Sequence, residues 1–267
     1  MAKYAELCKE LMESSYSTVT VEKHLVTVKK PEKFVIVRHD VDRRPEQAMK
    51  MAEIEKEFGI TSTYYFRTTA SVFKPDIIRA IKELGHEVGY HYEVLDRAKG
   101  NFEDAIELFK DELNEFRKLC EIKTICMHGN PLSPWDNRDL WKKYDFKDFG
   151  IIGEPYLSID YRKVLYLTDT GRSWNSRFSV KDVVDVDSVS HVKCTDDVID
   201  LVKNGASEQI CISTHPERWS DTFGGWLRDL VWQNVKNVGK VILVKRVYHD
   251  KNKKHCGSKG QGGKYDQ

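Results

Sequence analysis

The sequence contains no apolar run near the roughly 18 residues needed to cross a bilayer, so no membrane insertion is expected. Its 43 Lys and Arg almost cancel its 42 Asp and Glu, which removes the usual reason to expect nucleic acid or an anionic membrane as a main partner. The six cysteines (Cys8, Cys120, Cys126, Cys194, Cys211 and Cys256) form no CxxC pair and no regular framework. They read as reduced thiols, with Cys126 and Cys211 as small core residues inside strand-like runs. No internal repeat and no linker between two domains is visible. The opening residues, Met1 to Leu7, are charged and unlike a secretion signal, so a cytoplasmic protein is expected. Nothing in the sequence specifies an oligomeric state.

What is present is a strong alternation of strand-like and helix-like segments. With 267 residues and 40% hydrophobic positions, the chain can build one substantial core. Strands are expected at 33–38, 62–67, 86–91, 123–127, 148–152, 163–168, 209–214 and 240–246. Helices are expected at about 2–13, 45–57, 74–84 and 101–120, where apolar residues recur at three- and four-residue spacing. Such a βαβα order predicts a mostly parallel sheet with helices outside, and of the two ways to build one we expect the distorted (β/α) barrel of about seven strands. The division expected is residues 1–30 as an N-terminal helix and linker packed on the barrel, 31–248 as the barrel, and 249–267 as a disordered basic, Gly-rich tail.

In such folds functional groups gather at the carboxyl ends of the strands. The first strand-like run ends in His39-Asp40-Val41-Asp42, and alternation puts both aspartates on one side. Two carboxylates together raise one another's pKa unless a cation or proton intervenes, which suggests a metal with a nearby base. Helix capping by Asp42 ahead of Pro45 and Glu46 is the rival reading. Other strand ends carry matching chemistry: His91 with Glu93 two residues on, His128 before Gly129-Asn130-Pro131, and His215 after Ile212-Ser213-Thr214. The segment Thr168 to Trp174 includes Asp169 and Arg172, groups able to hold a polar ligand. His39, of opposite parity to the aspartates, and His86, which begins its strand, read as structural.

These residues resemble the polysaccharide deacetylase family, carbohydrate esterase family 4, over most of residues 33–220 and in the same motif order. The run Gly85-His86-Glu87-Val88-Gly89-Tyr90-His91 is the strongest local match. The paired aspartates look like a form with one residue inserted between them. By this resemblance Asp40 is the catalytic base, Asp42 and His91 are metal ligands, and His215 is the catalytic acid. Leu95 stands where the family has a second histidine, so the third ligand falls to Glu93 or His128. His128 is preferred, because its strand end corresponds in order to the family's third motif. Asp169 and Trp174 correspond to a tryptophan-bearing motif that lines the groove and orients the catalytic histidine.

The implied cofactor is a divalent metal ion, with zinc the expected one, and the implied reaction is hydrolysis of an N-acyl group on a sugar or sugar-containing precursor. Asp40 would take a proton from water and His215 would give one to the departing amine. Backbone N–H groups near Asn130 would assist the oxyanion, Arg67 and Arg172 would meet an acidic substrate group, and Trp174 and Trp219 would face the sugar. Two other classes fit the same residues: a hydrolase of another non-peptide C–N bond, such as a cyclic amide or ureide, and a carbohydrate-binding protein that has lost catalysis.

Overall fold

Two short strands share one edge of a longer central one. The computed structural model describes residues 1–172, 174 and 192–219. Among these, β1 (Ser17–Val19), β2 (Phe34–Val41), β3 (Thr63–Phe66), β4 (Glu87–Tyr92), β5 (Ile125–Met127), β6 (Leu165–Thr168) and β7 (Gln209–Thr214) form one sheet. Its order is β5-β4-β3-β2-β7-β6, and every pair is parallel. β1 pairs with Phe34 to Ile36 and β3 with Arg38 to Val41, so they follow one another along β2. With helices outside, this is the expected distorted (β/α) barrel.

Residue alternation sorts each strand into an inner and an outer face. Phe34 and Ile36 of β2, Tyr65, Cys126 and Cys211 pack together in the interior. Outward-facing Val88, Tyr90 and Tyr92 of β4 pack on Phe109, Leu113 and Phe116 of the helix Phe102–Arg117. Burying each such side chain contributes roughly 1.5–3 kcal/mol. That helix starts where Asn101 accepts from the Glu103 and Asp104 amides. On the other side, the N-terminal helix Ala2–Glu13 and the helix Thr195–Asn204 cover Val35, Val37, Ile210 and Ile212.

The motif from Gly85 to His91 has two glycines with backbone reasons. Gly85 adopts φ 98°, ending the helix Pro75–Glu83 and turning the chain into β4. At Gly89 a Cβ would overlap the Tyr65 ring, so only glycine lets that ring cross the barrel interior.

Two expectations are corrected. The linker expected after the N-terminal helix within residues 1–30 is not bare, because it contains β1 and the helix Val21–Val26, which Thr20 caps by accepting from the Lys23 amide. No strand forms over 148–152. Phe146–Phe149 is a 3-10 helix capped by Asp145 and ended by Gly150 at φ 71°, and Gly153 makes only an isolated bridge to Thr124. Capping and turn chemistry outweigh the apolar run there. The structure also adds β1, a strand too short for periodicity to reveal. The strand expected at 240–246 and the tail at 249–267 lie outside the described residues. No helix among the described residues is long and apolar enough to cross a membrane.

Candidate active site

Inward parity on β2 delivers Arg38 and Asp40 to the barrel interior, with Asp42 just past the strand end. Arg38 is completely buried, and its guanidinium donates to Asp40 Oδ2 at 3.1 Å, to Tyr156 Oη at 2.6 Å and to Cys126 Sγ at 3.2 Å. It also lies over the Tyr156 ring, 4.6 Å from the centroid. A buried guanidinium needs such partners, and Asp40 is the charged one.

One level higher, three side chains converge. Asp42 Oδ1 lies 3.3 Å from His91 Nε2 and 3.5 Å from His128 Nε2, and the two rings meet edge to face at 5.3 Å. His91 Nδ1 donates to the Cys126 carbonyl at 2.9 Å, so in the neutral ring Nε2 presents a lone pair towards Asp42. His128 Nδ1 lies 3.1 Å from Glu93, whose two carboxylate oxygens both accept from Arg67 Nη2 at 2.8 and 2.7 Å.

The donor set fits a divalent cation. Asp42 Oδ1 is buried without a hydrogen-bond partner, facing the nitrogens of two imidazoles. Burial pushes the Asp42 carboxyl up, but His128 and His91 outweigh it and hold it well below the usual carboxylate range. Burial lowers His128, and Asp42 with Glu93 lifts it above its ordinary value. The cluster therefore favours a positive charge between its members, and one carboxylate with two imidazoles is a common zinc donor set. The carbonyl behind His91 and the carboxylate behind His128 are the outer partners that metal-binding histidines usually have.

A second buried group, Asp40, His91 and Cys126, has ligand atoms within 4.8 Å of one another. Arg38 weighs against it, since its guanidinium already donates to both Asp40 and Cys126 and would repel a cation there.

Across the mouth, Asp169 collects four donors. His215 Nδ1 lies 2.7 Å from Oδ1, and the His215 amide, Arg218 and the Trp219 indole donate at 3.2, 2.8 and 3.1 Å. Burial and Arg218 push His215 down, but Asp169 and Asp42 prevail and raise it to about 9. Its ring therefore carries a proton at neutral pH.

The structure thus brings Asp40, Asp42, His91, His128, Asp169 and His215 to one end of the sheet, while several expected substrate contacts sit elsewhere. Asp169 is saturated by its four donors, which makes it the residue that orients His215. Trp219 holds Asp169, packs edge to face on Tyr4 at 5.1 Å and is only 9% exposed, which leaves little of its ring for a sugar. Trp174 is buried in the core, with its indole nitrogen 3.3 Å from Thr195. Arg67 forms the ion pair with Glu93, which also takes Glu93 away from the ligand set. Asn130 is at the rim, where its side chain caps the turn by accepting from the Leu132 amide. Arg172 belongs to the 3-10 turn Thr170–Arg172, and its side chain lies outside the described residues. Leu95 is buried in the core on the short helix Val94–Arg97.

His39 and His86 are structural, as expected. His39 bonds Glu55 at 2.8 Å and Thr214 at 2.6 Å, and His86 bonds Ser62 and the Ala52 carbonyl. Sequence reasoning missed Arg38, Arg218 and Glu217. Parity could have found Arg38, two residues before Asp40 on the same face. Glu217 has a buried Oε2 without a partner, and burial with the Asp42 charge pushes its carboxyl up. None of the five cysteines among the described residues is in a disulfide, and Cys126 and Cys211 are buried.

No family model matches this chain, and no curated protein matches it. Among solved structures it is similar to the CE4 domain of a multidomain xylanase from the hindgut metagenome of Trinervitermes trinervoides, with 13% identity over 82% of this chain and 85% of that one and a TM-score of 0.40. It is also similar to a Streptococcus mutans CE4 esterase, with 12% identity over 75% and 92% of the two chains and a TM-score of 0.42. A mutant of a CE4 family pseudoenzyme with restored activity is similar at 14% identity over 79% and 65%, with a TM-score of 0.41.

Proposed function

We propose that this protein is a metal-dependent hydrolase that removes an N-acyl group, most simply acetyl, from a sugar or sugar-containing precursor. One observation carries the reading: a three-donor cluster, an Arg38-held carboxylate and a charged histidine share the carboxyl end of a single parallel sheet. Asp42, His91 and His128 would hold a divalent ion, with zinc the fitting choice, and the ion would supply a Lewis acid for the acyl carbonyl.

The remaining chemistry belongs to the chain. Asp40 takes the proton of the attacking water, with its carboxylate oriented by Arg38 at 3.1 Å. His215 gives a proton to the amine nitrogen as the C–N bond breaks, since an amide nitrogen leaves poorly until protonated. Its elevated pKa of about 9 keeps that proton available at neutral pH. Asp169 positions the ring through Nδ1, so Nε2 is the donating nitrogen. A binding scaffold would have no use for a buried, charged acid opposite a carboxylate base.

The test is acetate release from N-acetylated sugars by the zinc-loaded full chain. Release that is lost on chelation supports the reading. No acetate from neutral or charged N-acetyl sugars, with zinc bound, would overturn it.

A further inference from the structure

We propose that Asn137 and Asp96 form a clamp that positions His128 as the third metal ligand, which makes Asn137 a positioning residue for the reaction. The metal side of this assignment rests on the hydrolase reading above. The clamp joins three separate segments: the short helix Val94–Arg97 after β4, the turn that begins at His128 after β5, and the 3-10 helix Asn137–Lys142.

Asn137 is 1% exposed, and both ends of its side-chain amide are engaged. Oδ1 accepts from the Asp96 backbone amide at 3.0 Å, while Nδ2 donates to the His128 carbonyl at 2.9 Å and to Asp96 Oδ2 at 3.2 Å. A backbone N–H only donates and a carbonyl only accepts, so the pattern fixes which way the Asn137 amide points. It also demands a side chain that carries a donor and an acceptor together. Asp96 Oδ1 accepts from the Ser133 hydroxyl, and the Ser133 amide donates to the Asn130 carbonyl at 3.1 Å. One buried amide therefore holds the His128 end of the turn directly and the Ser133 end through Asp96.

The 3-10 helix that carries Asn137 is itself anchored. Leu140 is buried in the core, the Trp141 indole donates to Tyr92 Oη at 2.8 Å, and Asp136 caps the helix by accepting from the Arg138 amide. The His128 amide donates to the Tyr92 carbonyl at 2.8 Å, so β4 holds the N–H of His128 and Asn137 holds its C=O. With the backbone fixed on both sides, the imidazole reaches Asp42 from a set position, Nε2 lying 3.5 Å from Oδ1. Leu95, where the family resemblance expects a histidine, is buried in the core on the same short helix as Asp96. The segment without the expected ligand thus supplies a partner that holds its replacement at the end of β5.

The test reads zinc affinity of the full chain by chelator competition, together with amide hydrogen exchange and urea unfolding of the metal-free protein. Asn137→Asp keeps the shape but sets a carboxylate against the His128 carbonyl and Asp96, and should lower zinc affinity by about tenfold or more. Exchange of the Leu132 and Ser133 amides, both bonded to Asn130, should quicken by about tenfold or more, with the helix Phe102–Arg117 unchanged. Asn137→Ala and Asp96→Ala should move both readouts the same way, which keeps the test decisive if Asn137→Asp does not fold. Asp96→Asn, where the Ser133 hydroxyl can turn to accept, should stay within about threefold of the wild type. A merely structural Asn137 would lower the urea midpoint and leave zinc affinity at the wild-type value, and that result overturns the inference. Unchanged exchange at Leu132 and Ser133 in Asn137→Ala overturns it as well. Zinc held equally by wild type and variants sinks only the clamp. No zinc bound by the wild type sinks the hydrolase reading, and exchange at the turn still decides whether Asn137 holds the His128 segment.

Discussion

His91 Nδ1 donates to the Cys126 carbonyl across the β4–β5 pair, and this bond determines which nitrogen of His91 faces Asp42. The two residues are register partners, so the sheet itself supplies the bond. A histidine fixed this way reaches its partner with little reorganisation.

The ligand assignment predicts a graded loss of metal. Glu93→Gln, which weakens the support of His128, should lower zinc affinity about 10–100-fold, and His128→Ala should lower it further. Competition against a chromophoric chelator measures both. Wild-type affinity in His128→Ala would remove His128 from the ligand set.

Asp40 is assigned proton transfer and no metal bond. Asp40→Asn should cut hydrolysis roughly 10²–10⁴-fold while zinc stays bound. Loss of zinc from that variant would make Asp40 a ligand instead.

The His215–Asp169 pair predicts an alkaline limb. His215 must be protonated to act as the acid, so activity should fall as pH rises through its folded pKa, which Asp169 lifts. Asp169→Asn removes the carboxylate that lifts this pKa, so the limb should move to lower pH along with a reduced kcat. A pH profile of kcat for both proteins decides the point, and an unmoved limb would contradict the assignment.

Glu55 predicts a stability effect away from the site. It is buried and accepts from Tyr4, Tyr64, Ser62 and His39, joining the N-terminal helix to the strand that carries Asp40. Glu55→Ala should cost about 3–5 kcal/mol by urea unfolding at pH 7. Burial pushes the Glu55 carboxyl up, but His39 and its other partners hold it at about 2, below its ordinary 4.5. The stabilisation is therefore present above about 4.5 and is lost as pH falls towards 2. The gap between wild type and variant should accordingly narrow in acid.

The convergence of residues 40, 42, 91, 128 and 215 was legible because period-2 alternation is simple: all fall at or just past strand ends with inward parity. The barrel was legible for the same reason, from the alternation of periods. What could not be read were long-range partnerships. Trp174 and Trp219 sit in suggestive places along the chain, yet the core cluster and Thr195 claim one and Asp169 the other. Arg67 looked free for substrate because its partner Glu93 lies on a different strand end. Residues 148–152 have a strand's composition, but capping by Asp145 and the turn at Gly150 decide otherwise.

The most direct measurement replaces zinc by cobalt in the full chain and records its metal content and visible spectrum. We predict one ion per chain, retained in Cys126→Ser and lost in Asp42→Ala, with no thiolate-to-cobalt charge-transfer band. A thiolate band abolished by Cys126→Ser would move the metal to Asp40, His91 and Cys126, and no bound ion at all would contradict the metal-hydrolase account.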